Sequence, residues 1–234
     1  AHLTEQLSGP KSDSVARRGK YILIHPASGC LIMHLGMSGS LGITDADTPP
    51  RKHDHVDIIF DSGQCLRLHD PRRFGSIHWT KDDPLAHKLL VSLGPEPLAR
   101  DFDLEHLWQA SRKRRVAIKS FIMDSHIVVG VGNIYASEAL FMAGIHPKHP
   151  AGRVTRKDYE KLLKAIKAVI RSAIKQGGTT LRDFTQSDGK PGYFKQRLKV
   201  YGREAEACTV CGTPIRQLVI GQRASYFCPD CQKS

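Results

Sequence analysis

The sequence lacks any apolar run that approaches the length of a transmembrane helix, about 18 residues. It also lacks internal repeats and low-complexity tracts, and its first residues do not resemble a signal peptide. Acidic residues are scarce, with 23 Asp and Glu against 35 Lys and Arg and a formal net charge of +12. These features argue against a membrane or repeat protein. They predict a cytoplasmic protein with a polyanionic partner, most simply nucleic acid, with an anionic membrane surface as the weaker alternative.

Cysteine is also scarce, and four of the six cysteines lie in the last 27 residues. The spacing Cys208-x2-Cys211-x16-Cys228-x2-Cys231 places two Cys-x-x-Cys turns around a stretch that has room for one β-hairpin. Four thiolates at this spacing suit a structural Zn2+, so the spacing predicts a zinc ribbon. Two disulfides are the alternative, which a reducing cytoplasm disfavours.

Residues 20–80 alternate short apolar stretches with turn residues, a pattern that is typical of antiparallel strands. Strands are predicted at residues 20–25, 30–34, 56–60, 65–69 and 75–79. The preceding stretch, residues 9–20, is polar and predicts no strand. Several short strands favour a β-sandwich or barrel, in which we expect Cys30 and Cys65 to be buried as small apolar side chains.

Gly94-Pro-Glu-Pro97 marks a domain boundary, and beyond it the apolar periodicity becomes helical. Helices are predicted at residues 104–110, 115–123, 134–143 and 155–175. The last helix is the clearest, because its apolar residues from Tyr159 to Ile174 recur at i, i+3, i+4 and i+7. Thr155 is expected to cap its start, and Gly177 follows its end.

Two segments have the composition of phosphate sites. Gly130-Val-Gly-Asn133 precedes a predicted helix, whose free N–H groups and dipole attract anions, although Asn is also an ordinary N-cap. Arg112-Lys-Arg-Arg115 and Lys119 place five cations within eight residues. Phosphates opposite this cluster would explain it, and a solvated helix face is the alternative.

The turn Asp70-Pro-Arg-Arg-Phe-Gly75 lies between two predicted strands. Its arginines could contact phosphates or base edges and Phe74 could enter a base stack, unless Phe74 packs on the sheet and Asp70 pairs with an arginine. The loop of residues 34–40 offers Met37 as a second exposed apolar side chain. His53 and His55 are not expected to bind metal, because no third ligand is evident. We expect them to contact phosphate or to make structural hydrogen bonds.

Together the motifs resemble those of formamidopyrimidine-DNA glycosylase, a bifunctional base-excision repair enzyme. The residues that carry the resemblance, in chain order, are Arg17-Arg-Gly-Lys20, His34-Leu-Gly-Met-Ser-Gly-Ser40, Asp70-Pro-Arg-Arg-Phe-Gly75, Leu93-Gly-Pro-Glu-Pro-Leu98, Val129-Gly-Val-Gly-Asn-Ile-Tyr-Ala-Ser-Glu138, Gly177-Gly-Thr-Thr180, Gln186-Ser-Asp-Gly-Lys-Pro-Gly-Tyr-Phe194, Val200-Tyr-Gly-Arg203 and the zinc ribbon. The resemblance implies an α+β multidomain protein with DNA between its lobes. The implied domains are an antiparallel β-sandwich catalytic lobe at 1–98, a helix–two-turns–helix DNA-binding domain at 99–203 and the ribbon at 204–234.

The same resemblance implies the function. The enzyme would remove oxidised purines, 8-oxoguanine and formamidopyrimidines, from damaged double-stranded DNA and cleave the strand as an AP lyase by β- and δ-elimination. One structural zinc ion, a monomeric state and a bacterial cytoplasmic, nucleoid-associated location are also implied, with no membrane partner.

Residue roles carry over where the motifs match. The resemblance assigns Lys20 to the β-elimination step and Arg223 to δ-elimination and phosphate contact. Met37, Arg72 and Phe74 would fill the gap that the flipped nucleotide leaves, and residues 186–194 would close over the flipped purine. The residues that match DNA-contact positions are His53, Arg72, Lys113, Lys119 and Asn133.

The sequence departs from the family's pattern at its first residues. In the family an N-terminal proline amine attacks the sugar C1′, and the acidic residue that follows it assists. This chain begins Ala1-His2-Leu3 instead. We interpret the chain as a fragment, and we expect the 234 residues as written to be inactive or impaired in catalysis.

Three other hypotheses compete with this function. An endonuclease VIII-like enzyme for oxidised pyrimidines would have the same fold, but the turn 70–75 and the loop 186–194 favour oxidised purines. A non-catalytic protein that binds damaged DNA would fit the absent Pro-Glu. A ribosomal or transcription zinc-ribbon protein would explain the charge and the cysteines and leave Lys20 unexplained.

Borohydride trapping tests the expectation about the first residues. We expect the 234-residue chain to bind a lesion-containing duplex without forming a Schiff-base adduct, because the amine that forms this adduct in the family is absent. The measurement is the yield of reduced protein–DNA adduct on a denaturing gel. A trapped adduct on these 234 residues would show the expectation to be wrong.

Overall fold

The structure, a computed structural model, describes residue 7, residues 12–177 and residues 198–233. The chain divides into two compact units. The first holds Ala1–Val91 and the second holds Ser92–Gln176, with residue 177 assigned to the first unit and residues 198–233 to the second. The predicted domain limits 1–98, 99–203 and 204–234 remain a prediction. Among the described residues, no helix is both long and apolar enough to cross a membrane.

The first unit is the β-sandwich that the resemblance implied. Within the described residues it contains two antiparallel sheets, with strand orders β1-β2-β3-β7 and β4-β6-β5. Both Leu31 and Ile32 of β3 are almost fully buried although they point to opposite faces, so both faces of this central strand are covered. The strands are β1 (Ser12–Arg18), β2 (Tyr21–Pro26), β3 (Cys30–His34), β4 (Ser40–Asp45), β5 (Asp54–Ile59), β6 (Gln64–His69) and β7 (Ser76–Thr80).

All five predicted strands are present, but two further strands were missed. The polar stretch before Lys20 contains β1, which pairs with β2 at the edge of its sheet among the described strands and leaves Val15 68% exposed. The other missed strand, β4, is also an edge strand, and its Ile43 is 66% exposed. Each of these strands holds only two apolar residues, Val15 and Ala16 in β1 and Leu41 and Ile43 in β4, so neither has an apolar pattern long enough to detect in the sequence.

The second unit contains four α-helices and a β-hairpin within the described residues. The helices are α1 (Leu104–Ser111), α2 (Ile118–Met123), α3 (Asn133–Ala143) and α4 (Arg156–Lys175), and the hairpin strands are β8 (Arg216–Ile220) and β9 (Arg223–Phe227). The apolar face of α4 packs on α1 and α3 and includes the fully buried Tyr159 and Leu162. Thr155 caps α4 as predicted, by accepting a hydrogen bond from the Asp158 backbone N–H.

Two details of the helical predictions were wrong. Helix α2 begins at Ile118 and not at residue 115, because the N–H groups of Ile118 and Lys119 bond to carbonyls of the segment 147–149. Ile174, which the apolar periodicity assigned to the core, is 65% exposed near the end of α4.

A buried carboxylate joins α3 to the chain that leads into the hairpin. Glu138 is 4% exposed and accepts hydrogen bonds from three successive backbone N–H groups, those of Lys199, Val200 and Tyr201, at 2.9 to 3.0 Å. Bonds to a carboxylate are stronger than bonds between neutral groups, and three of them define the path of this segment. Glu138 therefore positions the start of the ribbon against the helices.

A second polar anchor lies at the other end of the ribbon. The buried Gln232 side chain accepts a bond from the Cys228 N–H and donates one to the Ile145 carbonyl just beyond α3. Between the two anchors, Phe141 of α3 packs in one apolar cluster with Val200 and Ile215. The apolar side chain that supports the hairpin therefore comes from α3.

Substitution of Glu138 by Gln tests the first anchor. An amide cannot accept three N–H bonds as a carboxylate does, so we expect the second unit to lose about 1–3 kcal/mol in free energy of unfolding. The measurement is urea unfolding followed by far-ultraviolet circular dichroism. The matched control is Glu160→Gln on α4, an exposed acid bonded to Lys164, which we expect to change stability by less than about 0.5 kcal/mol. Equal stability of both variants would contradict the anchoring role.

Candidate functional site

The four cysteines of the ribbon form one cluster of sulfur atoms. The Sγ atoms of Cys208, Cys211, Cys228 and Cys231 all lie within 4.8 Å of one another, and three of the Sγ–Sγ distances are 3.4, 3.5 and 3.9 Å. A tetrahedral zinc with bonds of about 2.3 Å would separate its sulfur ligands by about 3.8 Å. The cluster therefore has the size and donor chemistry of a structural zinc site.

The surroundings of these sulfurs also fit a metal. The backbone N–H groups of Val210 and Cys231 point at the Sγ atoms of Cys208 and Cys228, at 3.4 and 3.5 Å. Burial, together with the neighbouring thiols, raises the pKa of Cys231, so a cation is needed to hold it as a thiolate. With four sulfur ligands the site leaves no coordination position open, which is the pattern of a structural zinc.

The ribbon hairpin ends in a two-residue turn that places Arg223 at its tip. Ile220 pairs with Arg223, and the two residues between them, Gly221 and Gln222, have φ angles of 54° and 60°. Positive φ at both turn residues is the type I′ geometry that closes tight hairpins. Arg223 is exposed immediately after this turn.

Two side chains from the helices meet at the carbonyl that follows Arg223. Lys119 of α2 is 1% exposed, and its Nζ donates to the Ala224 carbonyl at 2.9 Å and to the Ser225 Oγ at 2.6 Å. The Asn133 side-chain amide donates to the same carbonyl at 3.0 Å and to the Tyr201 hydroxyl at 3.3 Å. The carbonyl next to the hairpin tip is therefore held in place by groups 91 and 105 residues away in the chain.

This arrangement concentrates positive charge. Burial, with a smaller contribution from the charge of Arg223, lowers the pKa of Lys119 to about 8. A lysine surrounded in this way is stabilised in its charged form if an anion approaches. Lys119 and Arg223, predicted from two distant motifs, thus belong to one electrostatic site.

The start of α3 adds backbone donors to the same region. Gly132, not Asn133, is the N-cap, and glycine has no side chain that could accept a hydrogen bond from the first turn of the helix. The N-cap alternative for Asn133 was therefore wrong. The Oδ1 atom of Asn133 is buried and has no hydrogen-bond partner within the described part of the chain. The N–H groups at this end of α3, beside Lys119 and Arg223, have the chemistry that suits an anion.

The basic segment before α2 does not act as one cluster. The Arg112 guanidinium lies 3.5 Å from the Trp108 ring centroid and donates to the Gly152 carbonyl, so it stabilises the helical core. Lys113 follows with a φ of 63° and is exposed, as is Arg115. Of the predicted DNA-contact residues in this segment, Lys113 is free to meet an external anion and Lys119 lies inside the second unit.

In the first unit, Asp70 organises the turn that carries Arg72 and Phe74. Asp70 is 2% exposed, and its carboxylate accepts bonds from the Gly75 N–H at 2.6 Å and the Ser38 hydroxyl at 3.4 Å. The Asp70 N–H donates to the His53 carbonyl at 2.9 Å. Asp70 thus connects three predicted contact segments, because its carboxylate joins its own turn to the loop of Ser38 and its backbone N–H bonds to His53. The alternative of an Asp–Arg pair was wrong among the described contacts.

Two apolar side chains project from this edge of the first unit. Met37 is 55% exposed and Phe74 is 60% exposed, so Phe74 does not pack back on the sheet. Arg72 lies 5.8 Å from the Phe74 ring and donates to the Ser38 hydroxyl at 3.2 Å. Their loops touch: a Cβ on Gly36 would lie 2.5 Å from the Phe74 carbonyl carbon, so only glycine fits there. Met37, Arg72 and Phe74 therefore form one exposed group.

Lys20 lies on the two-residue turn that joins β1 to β2. Arg18 pairs with Tyr21 across this turn, Gly19 has a φ of 58°, and Lys20 is exposed. Burial and then the charge of Lys20 lower the pKa of His34, which places Lys20 near the start of the Met37 loop. His34 Nδ1 in turn accepts the Gly36 N–H at 3.0 Å.

The sequence assigned no supporting role to several residues that the structure shows to have one, namely Ser38, Glu138, Tyr201, Ser225 and Gln232. Ser38, Glu138 and Tyr201 lie in motifs that carry the resemblance, and Glu138 is also the single charged residue of α3. The predicted segments at residues 178–180 and 186–194 lie outside the described residues.

Family models match in three consecutive parts of the chain. The formamidopyrimidine-DNA glycosylase N-terminal domain matches residues 1–77, and the formamidopyrimidine-DNA glycosylase H2TH domain matches residues 93–185. A zinc finger found in FPG and IleRS matches residues 205–233. These limits follow the sandwich, the helices and the ribbon.

Curated relatives and solved structures agree with these models. The formamidopyrimidine-DNA glycosylase of Thioalkalivibrio sulfidiphilus is 57% identical over 99% of this chain and 85% of that protein. The protein of the same name from Stutzerimonas stutzeri is 58% identical over the same shares. A Lactococcus lactis FPG mutant, in complex with a Fapy-dG containing DNA, has a TM-score of 0.92 and 33% identity over 100% of this chain and 86% of that chain. MutM (FPG) from Thermus thermophilus has a TM-score of 0.88 and 36% identity over 96% and 84%. The chain therefore belongs to the formamidopyrimidine-DNA glycosylase family.

Proposed function

We propose that this protein is a base-excision repair glycosylase that removes oxidised purines, 8-oxoguanine and formamidopyrimidines, from double-stranded DNA and then cleaves the strand as an AP lyase. The observation that carries the proposal is the anion site of the second unit, where Lys119, Arg223 and the uncapped start of α3 meet. Backbone N–H groups and two cations at one point suit a DNA phosphate.

The second unit is built to hold a phosphate in a defined place. Arg223 donates to the phosphate from the hairpin tip. Lys119 supplies positive charge from its buried position and donates a hydrogen bond to the Ala224 carbonyl. Asn133 orients the same carbonyl and begins the helix whose dipole favours the anion. Zinc, when bound, holds the hairpin and supplies no chemistry to the reaction, because its four sulfur ligands complete its coordination.

The first unit supplies the groups that would replace a flipped base. Met37 and Phe74 present apolar surface that can enter the base stack, at an unstacking cost of about a few kcal/mol. Arg72 is close enough to Phe74 to contact the partner strand at the same step. His53, held by Asp70, would contact the backbone nearby.

Strand cleavage needs proton transfer and leaving-group stabilisation around the abasic sugar. In the proposal Lys20 serves the β-elimination from its exposed turn, and Arg223 serves the δ-elimination while it neutralises the phosphate. Residues 186–194 would contact the purine, and Lys113 would contact the backbone. We further propose a monomeric, cytoplasmic, nucleoid-associated protein without a membrane partner.

DNA binding by two matched arginine variants tests this function. We expect Arg223→Gln to weaken binding of an abasic-analogue duplex about tenfold and to reduce the slope of log K against log salt by about one, because one phosphate contact is lost. The control is Arg216→Gln, at an exposed position on β8 of the same hairpin. It should leave the affinity for the duplex and the salt slope unchanged. Fluorescence anisotropy from 50 to 300 mM salt measures both quantities. A flat salt dependence of the unsubstituted protein would contradict the phosphate site.

Lesion preference separates the proposed substrate class from its alternative. The same assay compares duplexes that carry 8-oxoguanine opposite cytosine, thymine glycol opposite adenine, or no lesion. Tighter binding of the 8-oxoguanine duplex is expected. A preference for thymine glycol would favour an endonuclease VIII-like enzyme, and equal binding of all three would favour a protein without lesion recognition.

Zinc removal tests the structural role of the ribbon. We expect chelation to unfold the ribbon and weaken DNA binding at least about tenfold, because a hairpin with so small an apolar cluster depends on the metal to hold its four cysteines together. Anisotropy and circular dichroism before and after zinc is added back measure the effect. Cys211→Ser should reproduce it, whereas Cys30→Ala in the sandwich should not affect zinc content. Full DNA affinity after complete zinc removal would contradict this role.

A further inference from the structure

The exposed face of α4 carries a straight row of cations that the proposed function does not use. Positions 157, 161, 164, 171 and 175 hold Lys or Arg, and all five residues are exposed. A helix turns by about 100° per residue, so these positions fall within an arc of about 80° around the helix axis. With a rise of about 1.5 Å per residue, they extend over about 27 Å along that axis. We call these five residues the α4 basic row.

This helix holds a large share of the protein's excess charge. Its twenty residues include seven cations, Arg156, Lys157, Lys161, Lys164, Lys167, Arg171 and Lys175, against two acids, Asp158 and Glu160. The difference is +5, compared with +12 for the whole chain. The net charge that indicated a polyanionic partner is thus concentrated on a surface other than the anion site at Arg223.

The acids on the helix neutralise only the first half of the row. Asp158 bonds Lys161 at 2.9 Å and Glu160 bonds Lys164 at 2.6 Å, both as exposed pairs. Within residues 12–177 and 198–233, no ion pair involves Lys157, Arg171 or Lys175. Exposed pairs contribute little, so the acids do not prevent the row from attracting an external anion.

The row faces away from the site described above. Helix α4 turns its apolar face, with Leu162 and Ile166, towards α1 and α3, and the row lies on the opposite face. Asn133 begins α3, which packs against β9 and so against the hairpin that carries Arg223. The row therefore does not extend the phosphate site at the hairpin tip. An anion that contacts the row is separate from a phosphate bound at Arg223.

A duplex fits the row better than a membrane does. The apolar face of α4 is already buried in the core, so the helix has no apolar surface to insert between lipids. A straight row of about 27 Å matches about eight base pairs of duplex, along which phosphates repeat regularly. The row also lies on a protein that works on DNA, where a second stretch of phosphates is always within reach.

We infer that the α4 basic row is a second, sequence-independent binding surface for duplex DNA, which lets one protein molecule hold a second DNA segment while the first occupies the Arg223 site. The inference goes beyond the proposed glycosylase function, since it needs neither a lesion nor catalysis. Its consequence is transfer between DNA segments during the search for damage, because a protein held by two segments can release one without leaving DNA.

A bridging experiment with the 234-residue chain tests this surface. An abasic-analogue duplex on beads is saturated with protein, and capture of a fluorescent undamaged duplex is measured at 50 to 200 mM salt. The test variant is Lys157→Gln with Arg171→Gln and Lys175→Gln, which removes three charges and keeps residues that favour helix. We expect the variant to bind the bead duplex normally and to capture the second duplex at least about tenfold less. The salt slope of capture should fall by about two to three.

The matched control removes the same charge elsewhere in the second unit. The control variant replaces three exposed cations outside the row and carries Lys148→Gln, Arg216→Gln and Lys233→Gln. This control should capture the second duplex as the unsubstituted protein does. Equal loss in both triple variants would overturn the inference, since net charge alone would then explain bridging. Failure of the unsubstituted protein to capture a second duplex would also overturn it.

Lysine footprinting tests, without the bead complex, whether duplex DNA contacts the α4 basic row. Reactivity of Lys157 and Lys175 towards an amine reagent, read by mass spectrometry, should fall when undamaged duplex is added in excess, and that of Lys148 should not. This readout remains valid if the abasic duplex fails to bind, an outcome that would count against the proposed function alone. Unchanged reactivity of Lys157 and Lys175, or protection by anionic phospholipid vesicles and not by duplex, would overturn the inference.

Discussion

The ribbon hairpin depends on groups outside itself, which come from α2, α3 and the segments next to them. A two-stranded hairpin of this size has no apolar core and is at best marginally stable alone. Four clustered thiols suited to zinc hold its base, Glu138 and Gln232 anchor its two ends, and Lys119 and Asn133 hold the Ala224 carbonyl near its tip. The result is an arginine whose backbone position is determined at both ends of the hairpin.

The two units use the same physical device. In the first, the buried Asp70 carboxylate accepts the Gly75 N–H and thereby holds the turn that exposes Phe74. In the second, the buried Glu138 carboxylate accepts three N–H groups and leads the chain into the ribbon. Each carboxylate is buried with its donors already in place, so the exposed contact residue beside it is supported by rigid backbone.

Prediction from the sequence succeeded where one residue type or one period carries the information. The cysteine spacing predicted the ribbon, and the strong periodicity of α4 predicted its limits within a residue at each end. It failed for β1 and β4, which hold only two apolar residues each, and for the start of α2, where long-range hydrogen bonds to residues 147–149 override local preference. The basic segment 112–115 was predicted as one surface, but Arg112 is directed into the core by Trp108.

By itself the sequence determined the fold class, the zinc ligands, the family and the candidate contact residues, because each depends on residue identity and spacing along the chain. Only the tertiary structure decided that Lys119 and Asn133 converge on the Ala224 carbonyl, that Asp70 joins three loops, and that five cations of α4 share one exposed face directed away from α3. The reason is physical. Burial, hydrogen-bond partners and the pKa of Lys119 depend on groups that are distant in sequence, and no local pattern encodes which distant groups will meet.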